Sequence, residues 1–323
     1  MSGRRLSLLS DHSLVVEYDA TVARFVEPWM PRHAGATPSG ANARAVIRIS
    51  SRENAHTDDT SRLGADVTMR LGAATAMFTA PDVVRLAARW GAHGEIHLGT
   101  LRADIVVPAG VSGGLEPDQI ADTYSLLTLA SALLINRLSA ALVHAGAAVS
   151  PAGCAWVIAG DTHAGKTTTC ITLVAAGWRF LADDQVVLRR DASGALTVEG
   201  WPRIAHVDPG WSSGTTTGAR ADVDLESQWP ESWQPSAPLG GFILPSVRAD
   251  APTSARIAKA SDALTAAIRQ SPWLMADRVG ASDVLALLSA AVTHPAITLS
   301  LGNDSYGKAS VLERVISSAI DGA

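Results

Sequence analysis

The 323-residue chain sets 26 Lys+Arg against 31 Asp+Glu, a net charge of −5, and 47% of its residues are hydrophobic. That balance argues against the basic field of a nucleic-acid or anionic-membrane binder, and the apolar content is that of a globular protein with a substantial core. The length allows two domains or one large one.

In chain order, Leu14 to Tyr18 and Ala45 to Ile49 alternate as strands do, and Met69–Leu71 and Ala76–Phe78 read as further short strands. Pro81 to Trp90 reads as a helix, with Pro near its first turn and Gly91 after its end. Glu95–Leu98 and Ala103–Val107 suggest a hairpin around Gly99-Thr100. Residues 1–115 thus form a smaller β-rich N-terminal domain, and Gly110, Gly113 and Gly114 mark a linker. A long helix is expected from Glu116 to about Val143, opening a second domain over 116–323.

No signal-peptide core or membrane span is legible: Leu126 to Ile135 is interrupted by Asn136 and Arg137. Cys154 and Cys170 lack metal-ligand spacing and read as reduced core thiols, so a cytoplasmic location is expected.

Residues 160–167 read Gly160-Asp161-Thr162-His163-Ala164-Gly165-Lys166-Thr167, a full match to the phosphate-loop pattern G-x-x-x-x-G-K-[ST]. The glycines let successive N–H groups converge on phosphate oxygens at a helix N-terminus. Lys166 reaches the β/γ-phosphates, the Thr167 hydroxyl can ligate Mg²⁺, and Thr168 extends the cradle. Lys166 is kept where arginine is the habitual cation, since only Lys259 and Lys308 are lysines besides it. The context suits the motif: apolar Ala155–Ala159 precedes it, and Thr168–Ala176, closed by Gly177, can form the helix after it.

Asp183 and Asp184 then sit inside an apolar, strand-like run from Arg179 to Leu188. Buried acids need a cation or hydrogen-bond donors, and Mg²⁺ beside phosphates supplies one. On a strand the two carboxylates point to opposite faces, unless the chain bends there. The segment from Trp201 to Pro238 holds Trp201, Trp211, Trp229 and Trp233 with little periodicity, which suits either a lid or a surface loop packed on the core. Beyond it, Phe242–Leu244 and Ile297–Ser300 read as strands, and Ala260–Gln270, Ala281–Val292 and Ser310–Ile320 as helices.

The ordered set Leu142-Val143-His144-Ala145-Gly146, then Ala155–Thr169, then Gly177–Val186 resembles the HPr kinase/phosphorylase family, and its shorter members that modify peptides such as lasso-peptide precursors. The resemblance implies an α/β, mixed-sheet P-loop domain of the phosphoenolpyruvate carboxykinase type, with ATP and Mg²⁺ as cofactors. It implies Asp183 as the base toward an acceptor hydroxyl, Asp184 as an organiser of Mg²⁺, and His144 beside the aspartates and γ-phosphate. A peptide or protein acceptor follows, with no nucleic acid or membrane partner, and a homo-oligomer is in keeping with a parent family that often forms rings. Two departures bear on the acceptor and on reversal, not on nucleotide binding. His163-Ala164 stand where the family usually has a glycine, and its later glutamate signature is absent, leaving Glu199 and Asp208 as weak substitute metal ligands. Arg203, Arg220 and Arg256 are equal candidates for an arginine over the γ-phosphate. The alternatives are a nucleotide-binding regulatory module without phosphotransfer and a kinase or carboxykinase of a small metabolite.

Overall fold

The computed structural model describes residues 4–27, 29–30, 37, 42–52, 69–72, 74–108, 117–201, 205–207, 221–223 and 225–322. They belong to two compact units, Met1–Ser139 with Trp273–Asp283 and Ala140–Pro272 with Val284–Ala323. The architecture is mixed α/β, with a large mixed sheet in each unit.

The first unit is built on β1 (Arg4–Ser7), β2 (Leu14–Tyr18), β3 (Ala45–Arg52), β4 (Met69–Leu71), β5 (Ala74–Ala80), β6 (Val83–Ala87), β7 (His93–His97) and β8 (Arg102–Pro108). The order is β1-β2-β3-β8-β7-β6-β5-β4, and only the β2/β3 and β3/β8 pairs are parallel. Alternation sorts the faces: Ile47, Ile49, Ala103 and Ile105 are buried, while the register partners Arg48 and Asp104 are exposed. Helix α1 (Ala23–Val26) is short, and α2 (Pro117–Asn136) packs against β3 to β6. From Leu126 to Ile135 every side chain of α2 is buried, polar Thr128 and Ser131 included.

Three sequence expectations are corrected here. Pro81–Trp90 is no helix: β-branched Val83 and Val84 begin β6, where buried Val84 and Leu86 flank exposed Arg85. Ladders to β5 and β7 override the local helical spacing. The long helix stops at Asn136 rather than Val143, because Ser139 turns the backbone left-handed (φ 57°) and Ala141–Val143 becomes a strand. The units therefore divide at Ser139/Ala140 and not at 115/116, since α2 packs on the first sheet. Arg137 at its end holds Asp277, a fully buried carboxylate, at 2.6 and 3.0 Å and Asp82 at 2.9 Å, which ties 273–283 into that unit.

The second unit begins with β9 (Ala141–Val143), β10 (Gly146–Val149), β11 (Ala155–Ile158), α3 (Lys166–Ala175), β12 (Arg179–Ala182), β13 (Val186–Arg190) and β14 (Leu196–Gly200). It continues through β15 (Ala205–Val207), β16 (Ala221–Val223), α4 (Leu225–Gln228), β17 (Ser236–Val247), β18 (Ser254–Ile257), α5 (Ala260–Arg269), α6 (Ala281–Ala291), β19 (Ala296–Leu301) and α7 (Ala309–Asp321). The long β17 organises the sheet. Its start pairs with β14, its middle runs parallel to β11, and its end runs parallel to β19. Helix α3 is rich in threonine and a poor helix former by propensity. Burial of Cys170, Ile171, Leu173 and Val174 against β10, β12 and α7 sustains it. The described tryptophans of the 201–238 segment cover the core: Trp201 is 1% exposed, and Trp229 and Trp233 pack against the cluster of Trp156, Trp178 and Phe180. Trp211 lies outside the described residues.

Gly200 lets β14 approach β12 closely, because a Cβ there would stand 2.1 Å from the Leu181 carbonyl oxygen. Backbone cannot yield as a flexible side chain can. Gly200→Ala is expected to cost about 3 kcal/mol, read as a lower urea midpoint at an unchanged m-value. A loss below about 1 kcal/mol would show that the two strands separate easily.

Candidate active site

The segment Ala159–Gly165 leaves the C-terminal end of β11 and enters α3 at Lys166. Two of its residues have left-handed backbones, Gly165 (φ 98°) and His163 (φ 64°). The segment thus needs positive φ at a non-glycine position, and histidine accepts it at modest cost. Ala164 N–H donates to the Asp161 carbonyl at 3.1 Å, and Thr169 N–H opens the helix ladder on Gly165 O at 2.8 Å.

Lys166 is buried, and its Nζ donates to the carbonyl oxygens of Gly160 (2.9 Å) and Asp161 (3.2 Å). The ammonium thus lies folded over its own loop. Thr167 and Thr168 on the first turn of α3 are half-buried, whereas Asp161, Thr162 and His163 are exposed.

Asp183 and Asp184 lie in a bend between β12 and β13 rather than within a strand. Asp183 is 5% exposed, and its backbone passes close to Gly146, where an added Cβ would be 3.6 Å from the Asp183 Cα. Asp184 stays half-exposed, with Oδ1 3.2 Å from His144 Nδ1. Cys170 Sγ lies 3.4 Å from both Ala147 O and Ala182 O, either of which can accept its single S–H. Burial, and after it the Asp183 charge, raises that thiol well above its ordinary range, so it stays protonated.

His144 is fixed by its backbone N–H, which donates to Gln270 O at 2.8 Å just beyond α5. Burial, the largest influence, pushes its imidazole below the ordinary 6.5, and the Lys166 charge lowers it further while Asp184 opposes. At neutral pH the imidazole is uncharged, so its contact with Asp184 is a hydrogen bond rather than an ion pair. Because the folded protein binds this proton less readily than the unfolded chain, the stabilising contribution is whole above pH 6.5 and is lost as pH falls toward the lower folded value. His144→Gln is expected to flatten the acid limb of stability below pH 6.5, measured as urea midpoints against pH. An unchanged limb would assign that dependence to other groups.

The sequence reading missed Arg269. It ends α5, and its Nη2 lies 3.2 Å from the Asp161 carboxylate of the loop, one residue before the carbonyl that holds His144. Nothing local marks it, and only the fold brings it beside Asp161. Of the arginines weighed from sequence, Arg256 sits on β18 opposite Thr298, and Arg203 and Arg220 lie outside the described residues. Glu199 is corrected as a metal ligand: its buried carboxylate is held by Arg189 Nη2 at 3.0 Å. Asp208 lies outside the described residues.

Among the described residues no three His, Cys, Asp or Glu side chains cluster as a metal cage. Mg²⁺ held mainly by phosphate and water needs only one or two protein oxygens, and the half-buried Thr167 hydroxyl and the half-exposed Asp184 carboxylate are each oxygens of a chemistry that suits it. Among the same residues no helix is long and apolar enough to cross a membrane.

No family model and no curated protein sequence matches the chain. Among solved structures it is similar to the HPr(Ser) kinase/phosphatase from Coxiella burnetii, at 11% identity and a TM-score of 0.31, over 55% of this chain and 94% of that one. So distant a likeness carries no argument about activity, which must be drawn from the site itself.

Proposed function

We propose that the chain is an ATP- and Mg²⁺-dependent kinase that transfers the γ-phosphate to a hydroxyl, most simply a serine, of a peptide or protein. The observation that carries this reading is the strand–loop–helix of residues 155–175, with Lys166 at the helix start and an electrostatically coupled carboxylate–histidine group nearby. Binding alone would not need a base, and Asp183 supplies a carboxylate suited to that role.

Backbone N–H groups from Thr162 to Thr167 and the Lys166 ammonium neutralise phosphate charge and hold the donor in line. When bound, Mg²⁺ would be held by Thr167 and Asp184 and supply charge neutralisation at the phosphates. Asp183 takes the proton as the acceptor oxygen bonds to the γ-phosphorus and the bond to the β,γ-bridging oxygen breaks, releasing ADP. His144 hydrogen-bonds Asp184 and orients it. Burial of Asp183 limits competition from water. The N-terminal residues 1–115 or the segment from Trp201 to Pro238 would recognise the acceptor. Arg269 is assigned to the transferring phosphate, exchanging Asp161 for it. Arg269→Ala should lower turnover roughly 10²-fold with ATP affinity held, and a pure affinity loss would make it a binding residue instead.

The test is transfer of labelled γ-phosphate from ATP with Mg²⁺ to hydroxyl-bearing peptides and to a cell extract. Label on a peptide or protein establishes the reading. ATP binding without transfer to any pool favours the regulatory module, and label on a small metabolite favours the third alternative.

A further inference from the structure

The chain passes between its two units at Ser139/Ala140, Pro272/Trp273 and Asp283/Val284. The first two crossings adjoin the candidate site along the chain: β9 and then His144 follow Ala140, and Arg269, Gln270 and Ser271 directly precede Pro272. Hydrogen bonds join these two stretches of chain inside each unit. In the second unit Ser271 Oγ, on a residue 1% exposed, donates to Leu142 O at 3.1 Å, and His144 N–H donates to Gln270 O at 2.8 Å. In the first unit Arg137 Nε and Nη2 donate to the buried Asp277 carboxylate at 2.6 and 3.0 Å. Val279 N–H donates to the same carboxylate at 3.2 Å, and a Cβ on Gly280 would stand 2.7 Å from its Oδ2, so the turn closes tightly around it. Ser139 Oγ, 3.3 Å from Asp283 Oδ2, ties the third crossing to the first.

Resting on the reading of His144 and Asp184 as parts of a phosphoryl-transfer site, we infer that this double crossing is a positioning device, in which Ser271 and, from the first unit, Asp277 hold His144 in place beside Asp184. Neither residue is asked to touch a substrate. Strand β9 is three residues long and ends the sheet, paired with β13. So short an edge strand opens readily on its own, and the bonds from Gln270 and Ser271, on either side of Val143, are what fix the residue that follows it. Those bonds form together only when both stretches keep their register, and on the far side of the boundary the Arg137–Asp277 pair sets that register. The phosphate loop is reached from the same stretch, because Arg269 pairs with Asp161 at 3.2 Å. A ring so held keeps its half-buried place, and burial is the largest influence on its proton affinity. The charged groups that face it are Asp184, from the bend after β12, which raises that affinity, and Lys166, at the start of α3, which lowers it. Release of the double crossing admits water to the imidazole and moves its titration upward, toward the ordinary 6.5. Loss of the Asp184 charge acts in the opposite direction, so the two causes are separable.

The test reads the imidazole titration of His144 by heteronuclear NMR, assigned with His144→Gln, and the pH profile of kcat in wild type, Ser271→Ala and Asp277→Asn. Near-UV circular dichroism checks that each variant is folded. Asp277→Asn keeps an acceptor for Val279 N–H, and Asp82 still pairs with Arg137 at 2.9 Å; should its fold fail nonetheless, Ser271→Ala, which removes one hydroxyl, carries the test. In both variants the His144 midpoint should rise toward 6.5, the acid side of the kcat profile should move up with it, and kcat at neutral pH should fall roughly tenfold with KM for ATP held. An unchanged midpoint in Ser271→Ala overturns the inference, as does a kcat that holds while the midpoint moves. A midpoint that moves in Ser271→Ala but not in folded Asp277→Asn overturns the part of the first unit. Midpoints that move as expected in a protein that transfers no phosphate sink the phosphotransfer reading and leave the hold on His144 standing.

Discussion

Lys166→Ala is expected to lower phosphoryl transfer about 10³-fold, more than any other single substitution in the loop. Lys166 is 8% exposed, and its ammonium donates to two carbonyl oxygens of its own loop, Gly160 and Asp161. An incoming β/γ-phosphate is a charged acceptor and so a stronger partner for the ammonium than those carbonyl oxygens, and draws it forward. Transfer then loses both ground-state attraction and the charge neutralisation that grows in the transition state, so KM rises and kcat falls together. Arginine should not rescue the site, because its planar fork cannot occupy the narrow space the amine occupies between those carbonyls. Steady-state transfer with labelled ATP measures the loss, and near-UV circular dichroism confirms that the variant is folded. A fall of less than about tenfold would remove Lys166 from the chemistry and leave the loop as structure.

How much of this was legible follows from how local each determinant is. The strand, loop and helix of residues 155–175 could be read because their backbone demands are local: glycine where φ must be positive, then lysine at the helix start. The helix from Pro81 to Trp90 was misread because the forces that make it β6 come from β5 and β7, which no window around Val83–Ala87 contains. The same holds for α2, whose spacing runs on toward Val143 although β9 is claimed by β13. In the site, the paired aspartates announce themselves as costly acids in an apolar run. The position of His144 came only from resemblance. Arg269 carried no signal, because its proximity to Asp161 is created by tertiary folding.

Asp183→Asn and Asp184→Asn are expected to separate the two carboxylate roles. Both substitutions keep size and shape and remove charge. As the base, Asp183 accepts the acceptor proton, so its amide should lower kcat about 10²- to 10⁴-fold at every Mg²⁺ concentration, with ATP affinity held. As the metal organiser, Asp184 should when amidated raise the Mg²⁺ needed for half-maximal transfer, with much of the rate returning at high Mg²⁺. Its hydrogen bond to His144 is also weakened, which removes an influence that raises the imidazole pKa. The residual activity of Asp184→Asn should therefore keep neutral histidine to lower pH than the wild type does, shifting the acid side of its pH profile downward. The burial pattern supplies the competing assignment. Asp183 is nearly enclosed whereas Asp184 is half-exposed beside His144, so an acceptor hydroxyl arriving from solvent would meet Asp184 first. If Asp184→Asn is the variant that Mg²⁺ cannot rescue, and Asp183→Asn the one it can, the roles exchange and His144 becomes the partner of the base. Equal Mg²⁺ rescue of both variants would leave neither carboxylate as the base.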